Sequence, residues 1–231
     1  MACFHKFYKH VDHFQDEFGL LPKWNVDTLI IGTFNPDNIF HPNNTALYFY
    51  GRKKNYFWKI LPVFINNNLI SIENPQNQIE FLKKYKIGLT DLLIEVRDAD
   101  LNNNDHISRI KTVLDSKLEG FNELIWNTNY IKKYILDKNV KSVYFSLLGK
   151  NSKVNFAQNT FEFQMRDIEK FCKVNKIKST RLFTPSGQGL GKGKPRKNKL
   201  INQWYNKQLE EDNLFPFINS NFDISNYEYQ N

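Results

Sequence analysis

The stretch Asp27-Thr28-Leu29-Ile30-Ile31-Gly32-Thr33-Phe34-Asn35-Pro36 carries an unbroken apolar run that stops at Asn35-Pro36. A strand with one wet face alternates apolar with polar residues. A run without that alternation implies a strand covered on both faces, as in the parallel sheets of α/β proteins. Downstream, Phe57, Trp58, Ile60, Leu61 and Phe64 fall at helical spacing between Asn55 and Ile65, with Pro62 tolerated as a kink or near the helix end. Strand candidates follow at Ile87–Leu93, Glu123–Trp126, Val140–Phe145 and Ser179–Thr184, the last stopped by Pro185. Helical spacing recurs at His106–Leu118, Asn129–Leu136, Phe161–Val174 and Asn198–Leu209. Strands alternating with helices predict an α/β fold, a three-layer α/β/α sandwich around a short, mostly parallel sheet of four or five strands. Residues 27–209 are read as this domain, 1–26 as an extension packing on its body and 210–231 as an acidic, aromatic tail. No repeat of solenoid or propeller length is visible.

The chain has 231 residues and a formal net charge of +8. No apolar stretch approaches the ~18 residues of a spanning helix, so a membrane partner is not expected. Cys3 and Cys172 are the only cysteines, which excludes a disulfide framework and any four-cysteine zinc or iron–sulfur site. Met1–Lys6 opens no signal peptide, and a cytoplasmic location is expected. The charge is uneven. After Lys207 there is no further Lys or Arg, while Glu210, Glu211, Asp212, Asp223 and Glu228 follow. Between Arg166 and Lys207 stand 12 basic and 2 acidic residues. A field of that sign attracts polyanions, although a basic protein with no nucleic-acid role would look the same.

In open α/β sheets ligands sit at the carboxyl ends of strands. That directs attention to Asn35-Pro36, Asp91, Asn127 and Pro185-Ser186-Gly187-Gln188 as segments that converge on one pocket. The glycines at 187, 189, 191 and 193 fit neither the Walker nor the dinucleotide pattern. Interleaved with Lys192, Lys194, Arg196, Lys197 and Lys199, they suit phosphate contact through backbone N–H groups and cations, or simply a solvated loop. His5, His10 and His13 do not align on one face, and no metal or other cofactor is expected.

Two segments together carry a family resemblance. The first is Ile31-Gly32-Thr33-Phe34-Asn35-Pro36, followed by Tyr50 and then Asn55-Tyr56-Phe57-Trp58; the second is Leu182-Phe183-Thr184-Pro185-Ser186. In order and spacing they resemble the uracil-DNA glycosylase superfamily, above all its hypoxanthine-DNA glycosylase and mismatch-specific uracil/thymine glycosylase branches. Gly88-Leu89-Thr90-Asp91 and Leu124-Ile125-Trp126-Asn127 are similar to two further strand ends of that family. The resemblance spans roughly residues 27 to 205.

What the resemblance implies is a monofunctional DNA glycosylase of base excision repair, acting as a monomer on double- or single-stranded DNA. Such an enzyme flips a deaminated or mismatched base, uracil or hypoxanthine, into a pocket and hydrolyses its N-glycosidic bond. The resemblance puts Asn55 or Asn35 on the attacking water. Phe34, Tyr50, Asp91, Asn127, Pro185 and Ser186 then contact the base. Arg52, Lys53, Gly187, Lys192, Lys194 and Arg196 hold the DNA backbone. Asp91 supplies an acceptor for uracil N3–H or hypoxanthine N1–H. Each residue also has a plainer role: Asn55 as a helix cap, Asn35 and Asn127 as turn residues, Asp91 as a cap or ion-pair partner, Tyr50 as a core aromatic. The other class of function on the same fold is a nucleic-acid-binding module without catalysis.

Overall fold

The computed structural model describes residues 1–8, 19–65, 74–112, 114–149, 156–186 and 196–227. Its centre is a four-stranded, wholly parallel sheet in the order β3-β2-β6-β7, built from β2 (Thr28–Gly32), β3 (Ile87–Asp91), β6 (Ser142–Phe145) and β7 (Lys178–Arg181). Every residue of β2 is buried, as its continuous apolar run demands. The pleat sends Ile30, Leu89 and Tyr144 to one core and Leu29, Ile31, Val143 and Phe145 to the other. Helices α1 (Phe57–Ile65), α2 (Pro75–Lys84) and α7 (Arg196–Glu210) cover the first face. The second face is covered by α3 (Asn104–Thr112), α4 (Asp115–Leu118), α5 (Thr128–Asp137) and α6 (Phe161–Val174). The result is the α/β/α sandwich expected from the alternation of elements. The edge strand β7 is the polar one, Lys-Ser-Thr-Arg, which suits an unpaired edge.

Three features depart from the sequence reading. The segment Leu124–Trp126 forms β5, but not in the parallel sheet. It pairs antiparallel with β4 (Leu93–Val96), which in turn pairs with β1 (Cys3–Phe4), in a second, three-stranded sheet. Only Leu92 separates β3 from β4, so the chain leaves one sheet and enters the other within one residue. The helix expected across 106–118 is broken into α3 and α4, which places Asp115 in the first turn of a new helix. Helix α2 is an addition, and its start has a local cause. Asn74 caps it by accepting the Asn77 N–H at 2.8 Å, and Pro75 occupies its first turn.

The acidic segment after α7 lies against the first core. Phe215 is buried among Phe64, Tyr144 and Trp204. Asn219 donates its backbone N–H to Phe64 O and its Nδ2 to Ile65 O, satisfying carbonyls at the end of α1. Asn213 is fully internal. Its Oδ1 accepts from Ser142 Oγ at 3.2 Å and from the Tyr144 hydroxyl at 3.1 Å, while its Nδ2 donates to Thr180 Oγ1 at 2.8 Å. One carboxamide thus pins this segment to β6 and β7. Asn213→Ala would strip Ser142 Oγ and Thr180 Oγ1 of their partner, while the Tyr144 hydroxyl keeps the Asn213 carbonyl at 2.8 Å, and is expected to lower unfolding stability by about 2 kcal/mol. Urea denaturation would measure that loss, and a cost near zero would mean that these bonds do not anchor the segment.

Candidate active site

The ends of β2 and β3 lie side by side, with Gly32 paired in register to Asp91. A Cβ on Gly32 would sit 2.2 Å from Asp91 Oδ1 and 2.8 Å from the Tyr50 hydroxyl. Glycine is therefore required for the carboxylate and the phenol to close over the strand end. Tyr50 has a left-handed backbone, φ 56°, a conformation costing about 1–3 kcal/mol in a non-glycine residue. Two contacts hold it there. Its ring stacks on Phe57 at 4.1 Å, and its hydroxyl lies 2.9 Å from Ser146 Oγ. Burial and the Asp91 charge push its phenol far above the ordinary range, so it stays neutral.

These groups open onto a cavity of about 250 Å³ at the strand ends. Of the residues expected to contact a base, Phe34, Tyr50, Asp91, Pro185 and Ser186 line it. Both candidate water-positioning residues, Asn35 and Asn55, line it as well. Their chemistry differs. Asn35 Oδ1 accepts from Asn44 Nδ2 at 2.8 Å and from Arg52 Nη2 at 3.1 Å, so its acceptor is fully used. Among the described residues, Asn55 Oδ1 accepts only the Phe57 N–H at 2.8 Å, which fixes the start of α1 and leaves one lone pair. The next residue ties that helix start to the second motif, because the Tyr56 N–H donates to Pro185 O at 2.8 Å.

Other expected site residues fall elsewhere. Asn127 is fully buried and does not line the cavity. Its Nδ2 donates to Thr90 Oγ1 and Asp91 O, both at 3.0 Å, and so braces β3 from below. The cause is the placement of β5, whose end reaches Asp91 from the second sheet instead of from the pocket rim. Arg52, expected on the DNA backbone, lines the cavity and holds Asn35. Lys53 and Arg196 are exposed and do not line the cavity, and Gly187, Lys192 and Lys194 lie outside the described residues. Among the described residues no cluster of three His, Cys, Asp or Glu is placed to hold a metal, and no helix is long and apolar enough to cross a membrane.

Two residues join the site that the motifs do not contain. His5, one residue past β1, is buried with Nε2 2.7 Å from Asp91 Oδ2. Asp115 lines the cavity opposite. Burial pushes its carboxyl up to about 7, with the charges of Glu119 and Asp91 adding to the rise and a hydrogen bond from Thr33 opposing it. The break between α3 and α4, which helical periodicity does not announce, is what brings Asp115 to the cavity. Its shift has a signed consequence. With the folded value above the unfolded one, the native state binds more protons between about pH 4 and about pH 7. This group's contribution to stability is therefore lost as pH rises through that window. Thermal melts across it are expected to show a decline that Asp115→Asn flattens; an identical pH profile in the variant would refute the assignment.

No family model matches the chain. A hypoxanthine DNA glycosylase of Methanosarcina barkeri (strain Fusaro / DSM 804) is 38% identical over 104 residues, which cover 39% of this chain and 63% of that protein. The chain thus spans a little under two thirds of the length of that relative. Among solved structures, the solution NMR structure of a candidate uracil DNA glycosylase from Methanosarcina acetivorans covers 80% of this chain and 92% of its own, at 16% identity and a TM-score of 0.44. The parallel sheet and the two strand-end motifs thus stand beside a partial sequence likeness to a hypoxanthine DNA glycosylase.

Proposed function

We propose that this protein is a monofunctional DNA glycosylase of the uracil-DNA glycosylase superfamily that flips a deaminated base, uracil or hypoxanthine, into the strand-end cavity and hydrolyses its N-glycosidic bond. The observation that carries the reading is the meeting in one small cavity of an aromatic wall, two carboxamides, the Asp91 carboxylate and the Asp115 carboxyl. Flipping a nucleotide costs a few kcal/mol, which stacking must return. Phe34 and Tyr50 supply the stacking surface. Asp91 accepts the ring N–H that distinguishes a deaminated base. As the glycosidic bond lengthens, the sugar gains oxocarbenium character and the departing base gains negative charge. Arg52, kept in the cavity by Asn35, is the cation nearest that charge among the lining residues. Asn55 keeps a free lone pair and orients the attacking water; a fixed amide acts here through placement rather than basicity. Asn35 has no acceptor to spare and presents its NH2 group. The exposed Lys53 and Arg196, with Lys192 and Lys194, engage phosphates outside the cavity.

Oligonucleotides carrying uracil, hypoxanthine, xanthine or mismatched thymine, scored for abasic sites, test the activity. The wild type is expected to release base from at least one of them, and complete absence of release favours a binding module on this fold. Asn55→Ala should lower the rate by roughly 10²-fold or more while DNA binding persists. An inactive Asn35→Ala beside an active Asn55→Ala would move the water to the other amide. Neutralising Lys194 and Arg196 together should weaken binding to all duplexes alike. The slope of log affinity against log salt should flatten by about 0.9 for each phosphate that the variant no longer neutralises. An unchanged slope with altered base preference would place this loop at the base.

A further inference from the structure

His5 is held on both sides of its ring. The Phe7 backbone N–H donates to Nδ1 at 3.1 Å, so Nδ1 carries a lone pair and no proton. The proton therefore sits on Nε2, which donates to Asp91 Oδ2 at 2.7 Å. Phe7, Phe34 and Phe49 pack around the imidazole with ring centroids 5.5 to 5.8 Å away and shut it off from water. The backbone registers the residue as well. His5 N donates to Ile94 O at 2.7 Å, which locks the imidazole to the strand that continues from Asp91.

The consequence for Asp91 is geometric. A free carboxylate rotates and offers two oxygens. Here Oδ2 is taken, while Oδ1 accepts no hydrogen bond among the described residues and stands over Gly32 beside the Tyr50 hydroxyl. The cavity is offered one acceptor in one place. Deamination of adenine or cytosine changes a ring nitrogen from a lone pair to an N–H. A fixed single acceptor bonds the N–H and repels the lone pair, whereas a rotating carboxylate adjusts to an exocyclic amine as well.

We propose that His5 is the positioning residue for base selectivity: its Nε2–H fixes Asp91 as a single acceptor aimed at the ring N–H of a deaminated base. The proposal rests on the reading of the cavity as a nucleobase pocket. It does not require that the bond be cut. In Asp91→Asn the same His5 N–H would hold the new carbonyl oxygen and turn NH2 to the cavity, which reverses the preference.

The test uses single-stranded oligonucleotides with one 2′-fluoro-arabino nucleotide, whose glycosidic bond resists hydrolysis, bearing hypoxanthine, adenine or unsubstituted purine. The wild type is expected to bind the hypoxanthine strand on the order of tenfold more tightly than the other two. His5→Leu should bring the three affinities together. His5→Gln, whose amide can still donate, should keep most of the preference. Asp91→Asn should favour adenine and purine, and adding His5→Leu to it should remove that bias. A purely structural His5 would lower melting temperature without moving these ratios. Equal affinities in the wild type, or an unchanged ratio in folded His5→Leu, overturn the proposal. Should His5→Leu not fold, 15N spectra of the wild-type imidazole decide: the Nε2–H tautomer supports the proposal, and the Nδ1–H tautomer or an imidazolium overturns it. Release of base from the natural deoxyinosine strand is scored separately. Preference without release defeats the glycosylase reading and leaves the role of His5 standing.

Discussion

Parallel pairing of β2 with β3 sets Gly32 beside Asp91, and the missing Cβ at that point governs the rest of the site. Any larger residue would push the carboxylate and the Tyr50 phenol apart. With them would go the left-handed turn at Tyr50, the stack on Phe57 and the start of α1, which carries Asn55. Strand register, a tight turn and a helix start are thereby coupled through one position. Below it, Asn127 holds the Asp91 carbonyl from the second sheet. The cavity floor is thus fixed from both sheets, while its walls come from loops.

Charge in the cavity is arranged as well as shape. Asp91 is neutralised in part by a hydrogen bond from an uncharged imidazole and in part by the Arg52 cation. Asp115 faces the same space and is driven toward its protonated form. If the cavity takes a base as proposed, one ionised carboxylate rather than two lowers the repulsion met by negative charge developing on it. The buried polar groups also carry a stability cost, and the large apolar cores on both faces of the sheet offset it.

Much of this is legible in the chain itself, and the limits have physical causes. The run at 28–32 declares a doubly covered strand because burial on both faces leaves no room for polar alternation. The spacing of Phe57, Trp58, Leu61 and Phe64 declares a helix in the same way. Periodicity reports burial, not partners. Leu124–Trp126 is a strand on either account, but nothing in its residues says which sheet it enters, and the place of Asn127 follows from that choice. Strand β1 is two residues long, too short for any period. Helix α2 carries its own cap-and-proline start, yet its modest apolar face hides it. The motif residues at 34–35, 91 and 185–186 converge because they lie at or just past the ends of β2, β3 and β7, and 50–55 joins them as the turn into α1. His5 reaches Asp91, and Asp115 the cavity, along routes that only tertiary structure defines.

The pairing of His5 with Asp91 spans 86 positions, and the parallel sheet closes only with Arg181. During synthesis, at about 5–20 residues per second, the imidazole must wait for its carboxylate, and the cavity for its last wall at Pro185-Ser186. Helices close locally in the meantime, whereas the pocket depends on long-range closure. The last lining residues, Pro185 and Ser186, join the cavity only after the final strand of the parallel sheet is in place.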